Sequence, residues 1–94
     1  MEELIQLRQE IDRLDKIIAE NIKMRLKIGQ LIGACKKKNS LPLENKEREE
    51  EVIRNFTHTA GADTRPIIQA IIQATKEQES RFHKNPFTKN SLQR

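Results

Sequence analysis

Arg48 is followed four residues later by Val52 and eight later by Phe56, so on a helix it shares their apolar side although glutamates surround it. A lone arginine so placed ordinarily snorkels, laying its stem over the core and returning its head to water. Arg48 is not alone. Arg25 interrupts an apolar seam, and Lys36, eleven residues later, points within about 20° of the same direction on a helix. Thr75 and Glu79 interrupt the stripe Ile68, Ile72, Phe82 in the same way, and an unpaired buried carboxylate is costly. Glu49 adjoins Arg48. Cations in excess, turned with two carboxylates and a hydroxyl towards an apolar interior, suit a small dianion. Arginine forks grip carboxylates in the plane, and a lysine adds a compact charge-assisted donor.

Other chemistries lack their residue patterns. Cys35 falls on the packing seam with no histidine at helical spacing to activate it, and His58 and His83 stand in no metal-ligand pattern, so no metal is expected. There is no phosphate loop and no dinucleotide fingerprint, so no cofactor is expected. The net charge of +4 includes Lys84, Lys89 and Arg94, which leaves about +1 on residues 1–83, too little for a basic nucleic-acid-binding body. No apolar run approaches the length of a membrane span, and MEELIQ at the start does not read as a signal peptide. One cysteine fits a reducing compartment, and the expected location is cytoplasmic.

The elements that must position these residues are helices. Charged residues make up 34% of the chain and aromatics 3%, so the core must be mostly Ile and Leu. Leu4, Leu7, Ile11, Leu14, Ile18, Ile28, Ile32 and Cys35 form a seam in steps of about four and three, which predicts one long helix over residues 2–39. Pro42 stops it. A second helix is expected over 46–59, with Gly61 as its terminator, and a third over 66–83 with Asp63 or Thr64 as its cap. Residues 84–94 have no period and read as a flexible tail beyond a 1–83 helical domain.

A helix of that length would extend roughly 57 Å, against a diameter of roughly 35 Å for a compact chain of this size. Its seam therefore calls for a second chain, and the expected fold is all-α, three helices in an intertwined homodimer. Asn21, also on the seam, fits a register-setting role. Gly29 and Gly33 lie between Arg25 and Lys36 and cost helix propensity, either to let a ligand approach or to let another helix pack close.

The stretches LRQEIDRLD, Arg25 with IGACK ending at Lys36, Pro42, NKERE at 45–49 and IIQATKEQE at 71–79 together resemble the all-helical chorismate mutases, from about Leu4 to Phe82. Members of that family are intertwined three-helix dimers that convert chorismate to prephenate without a cofactor. The resemblance implies that Arg25 and Arg48 engage substrate and that Arg8 reaches in from the partner chain. It implies that Lys36 bonds the ether oxygen and a carboxylate, and Glu49 the ring hydroxyl. Thr75 stands where the family has a small hydroxyl residue, and Glu79 where it has Gln or Glu facing the ether oxygen. Asn45 departs from the family's common Asp on the hydroxyl side of the substrate. Two rival readings share these residues: an isochorismate pyruvate lyase on the same fold, and a non-enzymatic helical interaction module whose inward charges only set pairing.

Overall fold

Residues 2–38 contain no proline, and the acids Glu2 and Glu3 open the segment while Lys36, Lys37 and Lys38 close it, each sign favourable to the helix dipole at its end. In the computed structural model, which describes residues 1–84, this segment is a single helix, α1 (Glu2–Lys38). Helix α2 covers Lys46–Ala60 and α3 covers Arg65–His83, joined by one 3-10 turn at Ala62–Thr64. Among the described residues there is no strand. The tail expected at 84–94 lies outside the described residues except for Lys84.

The breaks follow backbone chemistry. Asn39 caps α1, its N–H returning to the Cys35 carbonyl at 3.0 Å, and Ser40 then takes a left-handed φ of 56°, which reverses the chain before Pro42. Gly61 ends α2 at φ 117°, a value that L side chains rarely adopt. Pro66 falls in the first turn of α3, where its missing N–H is no loss. A side-chain cap by Asp63 or Thr64 is not formed. The Thr64 hydroxyl instead donates to the Gly61 carbonyl at 2.6 Å, within the 3-10 turn that leads straight into α3.

The core is small. Ile53, Ile68 and Ile72 are buried, with Val52, Phe56 and Ile71 packed against them. Phe82, expected to extend the stripe Ile68, Ile72, Thr75, Glu79, is 43% exposed. Helix α2 packs on α3 and on the 3-10 turn, while α1 packs on α3 alone. The molecule measures 62 × 29 × 15 Å. Its radius of gyration is 17.6 Å, against about 12 Å for a compact chain of this length. The excess is the N-terminal arm of α1, where residues 1–21 are all exposed, seam included. No helix among the described residues is long and apolar enough to cross a membrane.

Candidate active site

Two glycines set the distance between α1 and α3. A Cβ at Gly29 would stand 2.8 Å from the Thr75 methyl carbon, and one at Gly33 would stand 2.8 Å from the Cα of Glu79. Both glycines are buried. Of the two readings left open by their spacing, close helix packing is the one observed, and it makes the site. With the backbones this near, cations one turn to either side of the glycines on α1 reach the polar pair on α3.

The Arg25 guanidinium donates to the Thr75 hydroxyl, which itself donates to the Ile71 carbonyl at 2.8 Å. At the other end of the contact, Lys36 Nζ donates to Glu79 Oε1 at 3.0 Å and to the Leu43 carbonyl at 2.8 Å. Thr75 and Glu79 are the two buried polar residues of the protein among those described, at 7% and 9% exposure. Buried polar groups are expected to be bonded, and these are.

The electrostatics are unbalanced in one direction. Arg25 makes no ion pair among the described residues, its guanidinium meeting only a neutral hydroxyl. Burial pushes its pKa down, the charge of Glu79 opposes this, and the charge of Arg48 adds to it. Arg25 stays protonated all the same. An arginine without a carboxylate partner among the described residues, with a second arginine near enough to lower its pKa, attracts an anion.

Arg48 does share the cleft-facing side of α2 with Val52 and Phe56, as its spacing predicts. Its side chain is nevertheless 64% exposed and pairs with Glu51 at 2.8 Å on its own helix, so it sits at a rim and not in a closed interior. Asn45, expected as a ligand, is the N-cap of α2, its Oδ1 accepting from the Arg48 N–H at 3.0 Å. Glu49, expected near the substrate hydroxyl, pairs with Lys76 of α3 at 3.0 Å. Arg8 stands on the exposed arm, about 25 Å along the helix from Arg25, with no hydrogen bond or ion pair among the described residues. The structure thus brings together Arg25, Lys36, Thr75 and Glu79, places Arg48 on the same cleft, and leaves Arg8 apart.

Lys76 and Glu44 had no signal in the sequence. Lys76 Nζ lies 3.0 Å from Glu49 and 3.2 Å from Glu44, a residue of the loop before α2. The hydrogen bond to Glu49 is the main reason the Lys76 pKa is raised, and the bond from Lys76 is the main reason that of Glu44 is lowered. A lysine next to Thr75 marks no apolar stripe, and its partners are distant in the chain.

The cleft between the helices has a volume of about 810 Å³ and is lined by Arg25 and Arg48 together with apolar groups from all three helices, among them Ile18, Ile22, Phe56 and Ile68. It adjoins the charged cluster but does not contain Lys36 or Glu79. Its apolar walls suit the apolar face of a helix, and its two arginines an anion.

Comparison with known proteins gives three findings. The family model for chorismate mutase type II matches residues 7–80. Over 56 residues, 60% of this chain, the sequence is 46% identical to a bifunctional chorismate mutase/prephenate dehydratase of Aquifex aeolicus, and the match takes in 16% of that protein. A solved structure of a conserved hypothetical protein from Pyrococcus furiosus superposes with a TM-score of 0.73 at 39% identity, over 81% of this chain and 93% of that one.

Proposed function

The chain belongs to the type II chorismate mutase family, and from that premise we propose that it is a chorismate mutase, rearranging chorismate to prephenate in a site completed by a second copy of the chain. The observation that carries this reading is Arg25, a partly buried guanidinium without a carboxylate partner among the described residues, on one cleft with Arg48. Arg25 offers a fork without such a partner, and Arg48, exposed at the rim and paired with Glu51 of its own helix, offers a second that can turn to a compact dianion.

The chemistry asks little else. In the Claisen rearrangement the ether C–O bond breaks as a new C–C bond forms within one molecule, with no proton, electron or water gained or lost. Breaking runs ahead of making, so negative charge builds on the ether oxygen. Arg25 and Arg48 hold the folded chair-like conformer in which the reacting carbons meet. Lys36 stabilises the oxygen. Its ammonium has three N–H donors, and Leu43 and Glu79 occupy two, which leaves one for the substrate. Thr75 orients Arg25, and Glu49 accepts from the ring hydroxyl.

A second chain supplies what one chain lacks. Leu7, Ile11, Leu14 and Ile18 lie exposed along the arm, and the apolar cleft lies open beside Arg25 and Arg48. Laying the arm of one subunit into the cleft of the other would bury both and carry Arg8 of the partner subunit to the substrate.

The decisive measurement is loss of chorismate absorbance on adding purified protein, with prephenate as product. No loss, or pyruvate released from isochorismate instead, would overturn the mutase reading. Failure to bind a bicyclic oxa-dicarboxylate mimic of the transition state would leave a pairing module. For the shared site, mixing inactive Arg8→Ala with inactive Arg48→Ala protein should restore activity through hybrid dimers, and no recovery after demonstrated subunit exchange counts against it.

A further inference from the structure

The first turns of α2 carry Arg48 and Glu49 yet have almost nothing apolar to hold them. From Lys46 to Glu51 every residue is exposed except Glu49, which is half-buried, and the core begins only at Val52 and Ile53. Among the described residues α2 makes no packing contact with α1. The Asn45 cap is local and fixes the helix start, not its distance from α3.

What reaches across is Lys76. Its side chain is 24% exposed and touches Glu49 Oε2 at 3.0 Å, with 27% exposure at that carboxylate, and Glu44 Oε1 at 3.2 Å. The other charged links there are weaker. Arg65 to Glu50 measures 3.8 Å with both side chains more than half exposed, and Lys46 to Glu44 measures 3.7 Å between neighbours in sequence. Isolated exposed pairs hold little, whereas one ammonium shared by two carboxylates forms a network.

We infer that Lys76 is a positioning residue: it clamps the Glu49 carboxylate and the Glu44 turn to α3 and so sets where Arg48 and Glu49 stand at the cleft. Lys76 also balances the charge of Glu49. Without it a free carboxylate would stand beside a site for a dianion. Because Lys76 engages Oε2, Glu49 keeps Oε1 available to accept a hydroxyl, and that oxygen has no hydrogen bond among the described residues. Lys36 and Glu79 belong to a separate contact, so losing Lys76 should weaken substrate capture more than the bond-making step.

The kinetic part of this inference rests on the mutase reading, and the test separates the two. Lys76→Met should raise KM for chorismate about tenfold, the size expected when two partly exposed ion pairs are lost together, with kcat within about threefold of wild type. Lys76→Arg should recover most of the loss. Amide hydrogen exchange supplies a readout that needs no activity: in Lys76→Met the amides of Arg48 and Glu49 should exchange several-fold faster while those of Phe56 and Ile72 hold. If wild type turns over chorismate and Lys76→Met leaves KM unchanged, the inference is overturned. A uniform rise in exchange along all three helices overturns it too, since Lys76 would then serve overall stability only. If wild type shows no mutase activity the functional reading fails, and local against unchanged exchange at Arg48 and Glu49 still decides whether Lys76 positions them.

Discussion

From Met1 to Asn21 every residue is exposed, whereas between Arg25 and Lys36 the same helix is pressed onto α3 through Gly29 and Gly33. The packed end gets its order from within the chain, by backbone contact and four polar side chains bonded in pairs. The arm offers Leu4, Ile5, Leu7, Ile11, Leu14, Ile17 and Ile18, more large apolar groups than the three buried in the core. At about 1.5–3 kcal/mol for each side chain taken from full exposure to full burial, covering the arm would add appreciably to stability. One continuous helix thus joins a segment packed within its own chain to an exposed apolar surface.

The comparison breaks first at the arm. Ile11→Asp puts a charge in the middle of the exposed seam, and the expected result is loss of assembly, most helicity and all activity at micromolar concentration, read by sedimentation and circular dichroism. An unchanged oligomer with unchanged Tm would show that nothing is seated there. Next is the packed end itself: Lys36→Ala should lower kcat on the order of 10²-fold, the size of a lost oxyanion-type donor. Lys37 and Lys38 face elsewhere and should not replace it. A kcat within threefold of wild type would exclude that role.

Smaller effects sharpen the picture. Gly33→Ala should destabilise by about 1–3 kcal/mol in urea titration, because the added methyl meets the Glu79 main chain, and Gly29→Ala by less, because its first neighbour is a side-chain methyl. Equal, negligible costs would mean that the helices are not held at this distance. For Glu79, an amide in place of the carboxylate would donate to the ether oxygen, whereas the carboxylate itself is paired with Lys36 at 3.0 Å. Glu79→Gln, a permanent N–H donor of the same shape, is expected to keep kcat within about tenfold of wild type, and Glu79→Ala to lower it by more. A Glu79→Ala kcat equal to that of wild type would remove Glu79 from the reaction.

The smallest effect concerns Glu44 and Lys76. The pKa of Glu44 is lowered by Lys76, so its contribution is present above the ordinary carboxylate range and is lost as pH falls through the lowered value. That of Lys76 is raised, so its contribution is present below the ordinary lysine range and is lost as pH rises through the raised value. The slight Tm difference between wild type and Glu44→Gln at pH 7 should therefore close in acid. A difference that persists there would place the effect elsewhere than in the ion pair.

Much of this is legible in the residues. The seam and Pro42 predict α1 to within a residue at its end, and Gly61 predicts the stop of α2. Arg25, Lys36, Thr75 and Glu79 are visible because a polar group on an apolar stripe is conspicuous. The meaning of Gly29 and Gly33 is not, since one spacing serves a ligand and a helix equally, and only the position of α3 separates them. Asn45 reads as a ligand by resemblance, although an asparagine three residues before Arg48 has the form of an N-cap. The contacts of Lys76 depend on how α2 leans on α3, which no periodicity within either helix encodes.

The contact at Gly33 has a consequence for how the site can change. Main-chain atoms of α3 meet main-chain atoms of α1 there, so no rotamer lies between the helices to yield by a few tenths of an ångström. The next register that keeps side chains in phase is a full turn away, about 5.4 Å. The pairing of Arg25 with Thr75 and of Lys36 with Glu79 is therefore set in discrete steps, and gradual sliding of one helix along the other cannot adjust it.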